Sequence, residues 1–180
     1  MSLRARNEVT AATRHDPAEE PTFVERDDGL KHLPPVRARA FLGLVRAGAS
    51  LARELDATLQ RKHELTLHSF EVLLHLAVFS PDGSLRLSQL VQQAPLSQSQ
   101  VSRIAAELEK RDLVRRSTAA EDGRGVTVAI TEAGRQRFRQ AQETHLRDLD
   151  ARVFSRLSWE EVVQLASITS KLLEAPAGDG

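Results

Sequence analysis

Residues 84–131, SLRLSQLVQQAPLSQSQVSRIAAELEKRDLVRRSTAAEDGRGVTVAIT, contain the pattern that decides the fold. Apolar residues recur at helical spacing in two short stretches, and they alternate with polar residues in two later stretches. A polar tip with two glycines separates the alternating stretches. In chain order, the pattern predicts a strand at 84–86, two short helices at 89–93 and 98–111, and a hairpin whose strands lie at 113–118 and 126–130. This order is that of a winged helix-turn-helix.

Local capping chemistry sets the expected boundaries of this module. We expect Ser88 to cap the first short helix, and Ser97 to cap the second in a capping box with Gln100. Asp112 takes the left-handed position after the second helix, where glycine is more common. Thr131 caps the helix that follows the hairpin.

Long amphipathic helices are predicted on both sides of the module. One begins at Pro35 and runs to about residue 62, and a second, capped by Thr66 and buried nearly all round, runs to about Phe79. After the module, we expect a helix over 132–157 and a last helix to about 173, opened by a capping box of Ser158 and Glu161. The predicted fold class is mainly α (α+β). The chain is expected to have five segments: a flexible extension at 1–33 with a short helix near 3–12, an N-terminal dimerisation helix at 34–64, the winged module at 65–131, C-terminal dimerisation helices at 132–174 and a tail at 175–180.

Composition excludes several classes of function. The 180 residues include no cysteine, so thiolate metal sites and disulfides are excluded, and the net charge is zero. Neither an apolar run of membrane-spanning length nor a signal core is found, so we expect a cytoplasmic protein without membrane contact. The six histidines form no metal-binding pair, and there is no phosphate loop or nucleophile motif. We therefore expect no catalysis, no cofactor and no metal.

The second short helix of the module has a polar outer face that suits DNA. Glutamine pairs with adenine and arginine with guanine in the major groove, while a helix N-terminus attracts phosphate. Arg124, at the hairpin tip, is placed to enter a minor groove, with Asp122 orienting it. The expected DNA-binding residues are Ser97, Gln98, Ser99, Gln100, Ser102, Arg103, Arg116, Asp122 and Arg124.

The ordered motifs of the chain resemble those of the MarR (multiple antibiotic resistance regulator) family of bacterial repressors. The resemblance covers about residues 36–173 and rests on five stretches, at 65–73, 96–104, 108–114, 121–124 with 130–135, and 157–161. Two departures are Asp112, where the family usually has glycine, and Ala119, where its wing often has aspartate.

The resemblance implies a homodimer that binds a palindromic operator as a repressor and releases it when a small aromatic or phenolic acid binds. The surplus of amphipathic helix outside the module independently favours a second copy. Candidate effector-binding residues are Arg46 on the first helix and Glu71, His75 and Phe79 on the second. For each of them, an ordinary structural role remains the alternative: a salt bridge for Arg46, an interface histidine for His75 and core packing for Phe79.

A second function class stays open, because winged helices also serve as protein-interaction or architectural modules without a small-molecule ligand. An apolar outer face on the second short helix would favour that class. The Ser, Gln and Arg residues found there favour nucleic acid.

Overall fold

A computed structural model describes residues 21–93, 96–118 and 125–174. The chain divides into two units, residues 1–48 and 49–180. The predicted helix near 3–12 and the tail at 175–180 lie outside the described residues. No helix within the described ranges is long and apolar enough to span a membrane.

The first unit contains a small hairpin that the sequence analysis did not predict. Strands β1 (Val24–Glu25) and β2 (Lys31–His32) pair antiparallel, with Val24 opposite His32. The turn between them relies on Gly29, whose φ of +80° suits glycine. The prediction of a flexible extension is therefore wrong for 24–32, because two-residue strands leave too little alternation to be recognised in a sequence.

Helix α1 (Pro35–His63) starts at the predicted proline and ends one residue beyond the predicted limit. Its buried residues all lie near its C-terminal end, at Leu55, Thr58 and Leu59. There His63 Nε2 lies 2.8 Å from Oγ1 of Thr144, a residue of the later helix Glu132–Arg152.

Helix α2 (Leu67–Leu74) is capped as predicted, since Thr66 Oγ1 accepts the Ser69 N–H over 3.0 Å. The helix continues as a π-helix over His75–Phe79. The wider i→i+5 turn changes the direction in which its own residues face, and Val78 and Phe79 at its end are exposed. Phe79 is 61% exposed, and the expectations of a helix buried all round and of a core Phe79 are wrong.

The winged module has the predicted order of elements. Strand β3 (Ser84–Arg86), α3 (Leu87–Gln93), α4 (Gln98–Lys110), β4 (Val114–Thr118) and β5 (Val126–Ile130) follow one another. The sheet order is β3-β5-β4, with Ser84 opposite Ala129 and Arg116 opposite Val128. Ser88 does not cap α3, which begins at Leu87, two residues before the predicted start. Gln89 Oε1 instead accepts the Arg86 N–H over 2.8 Å at the start of the helix.

The module's core lies between α2, α4, the sheet and the helix that follows the sheet. Its largest fully buried side chains come from α1, the loop before α2, α2 with its π-helical extension, α3, α4 and the sheet. The helix that follows the sheet adds Phe138 and Ala141 to the same core. Phe70 stacks on Phe138 with ring centroids 5.3 Å apart. The buried set that holds α4 in place comprises Leu65, Phe70, Leu73, Leu76, Leu90, Val101, Ala105, Leu108, Val114 and Val128.

Helix α5 (Glu132–Arg152) begins in close contact with the end of α4. Thr131 Oγ1 accepts the Gly134 N–H over 2.9 Å and donates to the Asp112 carbonyl over 2.6 Å. Asp112 has the predicted left-handed backbone, with φ of +54°. Gly134 is so close to Leu113 that a Cβ built on the glycine would lie 2.0 Å from the Leu113 carbonyl oxygen.

The C-terminal helices differ from the prediction in one boundary. Helix α5 ends at Arg152 rather than near residue 157, and a short 3₁₀ turn, Phe154–Arg156, follows it. Helix α6 (Trp159–Leu173) then opens with the predicted capping box of Ser158 and Glu161. Mainly α architecture with a winged helix-turn-helix and long flanking helices is confirmed.

The turn before β3 makes a testable electrostatic prediction. The Asp82 carboxylate accepts hydrogen bonds from the Ser80 hydroxyl at 2.8 Å, the Ser84 N–H at 3.1 Å and the Ser84 hydroxyl at 2.9 Å. These bonds, that of Ser80 first, lower the pKa of Asp82 from 3.8 to about 2. Because the folded pKa is depressed, the stabilisation is complete above the unfolded pKa and is lost as pH falls from about 4 through about 2.

We expect an NMR titration to give Asp82 a pKa about 2, and Ser80→Ala to move it back toward 3.8. An Asp82 pKa of 3.8 in the unmodified protein would show that these hydrogen bonds do not hold the carboxylate in solution.

Candidate nucleic-acid interface

The N-terminus of α4 is held by the predicted capping box. The Ser97 N–H donates to Gln100 Oε1 over 2.9 Å, and the Gln100 N–H donates to Ser97 Oγ over 3.4 Å. The Ser97 hydroxyl also lies 3.0 Å from that of Ser99. Two of the predicted DNA-binding side chains, Ser97 and Gln100, therefore shape the helix end, and the Gln100 amide nitrogen is not used by the cap.

The outer face of α4 is polar and open. Val101, Ala105 and Leu108 are buried on the inner face. Gln98, Ser99 and Arg103 are exposed on the other side, with Ser102 partly exposed beside them. Arg103 makes no hydrogen bond or ion pair with another residue in the described part of the chain. A guanidinium that no described residue engages in a hydrogen bond or ion pair can bind an external acceptor.

One acidic residue lies a turn beyond Arg103 on the same side of the helix. Lys110 Nζ donates to Glu107 Oε1 over 2.8 Å. This hydrogen bond, then the charge of Lys110 and finally that of Arg103, lower the pKa of Glu107. The acidic charge is therefore partly neutralised within the helix, which reduces its repulsion of phosphate.

Arg116 lies on β4, and its side chain is engaged within the module. Its N–H donates to Glu109 Oε1 and its Nε–H to Glu109 Oε2, both over 2.8 Å. The Arg116 side-chain bond, then its backbone bond, lower the pKa of Glu109. The sequence analysis missed Glu109. The signal that could have pointed to it is its position in the last turn of a helix, shortly before a strand that carries an arginine.

Seven of the nine predicted DNA-binding residues lie in the described part of the chain. Those on α4 share one helix end, and Arg116 lies on the neighbouring strand. Asp122 and Arg124 lie outside the described residues, so the wing contact stays a prediction. Within the described ranges, no cluster of His, Asp or Glu residues is arranged to hold a metal ion.

The candidate effector residues lie in different units. Arg46 is an exposed residue of the first unit. In the second unit, the rings of His75 and Phe79 are 5.5 Å apart, and Glu71 Oε2 lies 3.1 Å from Nδ1 of His68. His75 Nδ1 is buried without a hydrogen-bond partner among the described residues.

A further histidine packs near Glu71 and was not singled out by sequence. His145 on α5 packs on Phe70, with ring centroids 4.6 Å apart, and its Nδ1 also has no partner within the described ranges. Burial lowers the pKa of His145, while the charges of Asp148 and Glu71 oppose that shift. Its ring is therefore mainly a neutral packing element near neutral pH.

Comparison with known proteins identifies the family. The MarR family sequence profile matches residues 63–125. The chain is 31% identical over 107 residues to the HTH-type transcriptional repressor MdtR of Bacillus subtilis, covering 59% of this chain and 68% of MdtR. Its fold superposes on Sco3205, a MarR family regulator of Streptomyces coelicolor solved with DNA, with a TM-score of 0.77, 29% identity and coverage of 82% and 97% of the two chains.

A more distant likeness is to the organohalide-sensing regulator RdhR-CbdbA1625, solved with 2,4-dichlorophenol. That match has a TM-score of 0.67 and 19% identity, and it covers 77% of this chain and 80% of that one, so it shows the shared fold alone. The family profile, the curated repressor and the DNA-bound structure agree with the polar α4 of this winged module. The chain belongs to the MarR family of transcriptional regulators.

Proposed function

We propose that this protein is a sequence-specific repressor that binds a palindromic operator as a homodimer. The observation that carries the proposal is the free outer face of α4, where Gln98, Ser99 and Arg103 are exposed on a helix whose inner face is fixed in the core. A rigid helix with glutamine and arginine side chains suits direct reading of the major groove. We propose contacts from Ser97, Gln100 and Ser102 as well, and from Asp122 and Arg124 on the wing.

The exposed apolar side chains of the flanking helices support a homodimer. Helix α6 has no buried residue, and Trp159 at its start is 80% exposed. In the first unit, the N-terminal half of α1 exposes five large apolar side chains: Val36, Phe41, Leu42, Leu44 and Val45. Apolar surface of this extent marks an interaction site. A second copy would place two recognition helices about one turn of DNA apart, roughly 34 Å.

We further propose that a small aromatic or phenolic acid releases the operator. Support comes from the pairing of an exposed aromatic ring, Phe79, with His75 and from the nearby carboxylate of Glu71. The role of Arg46, in the other unit, as a partner of the ligand's carboxylate stays a prediction from the sequence. The family likeness adds that RdhR-CbdbA1625 was solved with a phenol. Because the proposed partner is chromosomal DNA, we expect the protein in the cytoplasm.

Two measurements test the proposal. Selection of bound fragments from random duplex DNA should yield a two-fold symmetric sequence, and phenols and aromatic carboxylic acids should then be screened for release of that DNA. Recovery of no sequence, together with capture of a protein partner, would favour the alternative of a protein-interaction module. The polar outer face of α4 argues against that alternative.

Light scattering at micromolar concentration should give a particle of twice the 19.9 kDa chain mass. Replacing Ile168 and Leu172 of α6 with serine should shift the particle toward a single chain, whereas Thr169→Ser, a conservative change on the same helix, should not. A single-chain mass for the unmodified protein would contradict the homodimer.

A further inference from the structure

Glu109 joins the end of the proposed recognition helix α4 to the edge strand of the wing. In the sheet order β3-β5-β4, strand β4 has no neighbour on its outer side among the described strands. The Thr131 N–H donates to the Leu113 carbonyl over 3.1 Å. Because hydrogen-bonding direction alternates along an antiparallel strand, the Arg116 N–H, three residues after Leu113, faces outward.

The Glu109 carboxylate accepts hydrogen bonds from both the outward-facing N–H and the side chain of Arg116. Glu109 takes the Arg116 N–H on one oxygen and the Nε–H on the other, at 2.8 Å each. Both side chains are about one-third exposed, at 33% for Arg116 and 37% for Glu109. A two-point bond between a helix end and the middle of a strand fixes the angle between them, which a single bond leaves free to rotate.

We infer that Glu109 is a positioning residue that acts through Arg116, setting the angle between α4 and the wing strands so that both meet one DNA site. The inference rests on the proposed DNA-reading role of α4, and it gives Arg116 a role in orientation in place of a direct contact with DNA. Glu109 lies six residues beyond Arg103, about 9 Å along the helix axis, so the pair is separate from the proposed base-reading end.

The two roles for Arg116 predict opposite results for Glu109→Gln. If Arg116 binds DNA directly, removal of the neighbouring acid frees its guanidinium and reduces phosphate repulsion, so binding strengthens. If the pair positions the wing, Glu109→Gln weakens binding, because an amide oxygen still accepts the N–H but the amide nitrogen cannot accept from Nε.

The test uses the full-length protein, its selected operator and a random duplex of equal length. We expect Glu109→Gln and Arg116→Gln each to weaken operator binding about three- to thirty-fold, and the double variant to weaken it no further than either single change. Neither change should cause a comparable loss of affinity for the random duplex, and the salt dependence of binding should stay close to that of the parent. Glu107→Gln, which removes an acid paired with Lys110 of the same helix, should strengthen binding to both duplexes and is the matched control.

Several outcomes would overturn the inference. Unchanged or tighter operator binding by Glu109→Gln would do so, as would equal losses on operator and random DNA. A reduced salt slope for Arg116→Gln, together with tighter binding by Glu109→Gln, would assign Arg116 to a phosphate contact. If the unmodified protein selects no DNA sequence, the proposed function fails, and that result is distinct from failure of the positioning role.

Discussion

Replacing Arg103 with alanine will weaken operator binding by about 1–3 kcal/mol per half-site and relax the preference at one base pair of each half. Arg103 is exposed on the outer face of α4 and has no hydrogen-bond partner in the described part of the protein. Its guanidinium can therefore form the two-point contact with guanine without breaking an internal bond. The preference is measured by binding to a panel of operators that carry single-base changes.

Arg103→Lys is the matched variant for this prediction. Lysine retains the positive charge but not the planar fork of donors, so it should keep affinity for random DNA and lose the preference at that base pair. A variant Arg103→Ala with an unchanged base preference and a smaller salt slope would mean that Arg103 binds a phosphate instead.

Gly134→Ala should destabilise the fold by at least about 2 kcal/mol, because overpacking at a backbone contact leaves no flexible group to move aside. An added Cβ would lie 2.0 Å from the Leu113 carbonyl oxygen and 2.9 Å from Ile130 Cγ1. Alanine otherwise favours a helix by about 1 kcal/mol over glycine, so the sign of the effect depends on the close contact. Denaturant unfolding followed by circular dichroism measures the change.

The neighbouring Ala133 provides the control, since it is exposed in the same turn of α5. Ala133→Gly should cost only about 1 kcal/mol through lost helix propensity. If Gly134→Ala were as stable as the parent, the start of α5 would have to move away from Leu113 at little cost, and the tight junction described above would be incorrect.

Local chemistry explains which parts of the fold the sequence predicts well. The caps at Thr66, Ser97, Thr131 and Ser158 each depend on a side chain and an N–H three residues later, so their spacing is visible in the sequence. The left-handed Asp112 was predicted because a helical pattern stops there. The outer face of α4 follows from the spacing of its apolar residues in the same way.

Features that leave neither a capping motif nor a long periodic pattern in the sequence were not predicted. The π-helix at His75–Phe79 turns Phe79 outward, against an apolar pattern that indicates burial. The hairpin at 24–32 has too few residues to show alternation. The pairing of Glu109 with Arg116 joins a helix to a strand across a turn, and only the register of β4 against the sheet makes Arg116 accessible to that carboxylate.

The strand order also determines when the module can fold during synthesis. Strand β3 pairs with β5, the last strand to be made, and Ser84 must meet Ala129 before the sheet is complete. A nascent chain that has emerged only as far as β4 holds two strands that are not neighbours in the finished sheet. Closing this long loop carries an entropy cost that local helix formation does not. On the ribosome, α3 and α4 are therefore made before β5, and the parts of their buried faces that contact the sheet stay uncovered until residue 130 has left the exit tunnel.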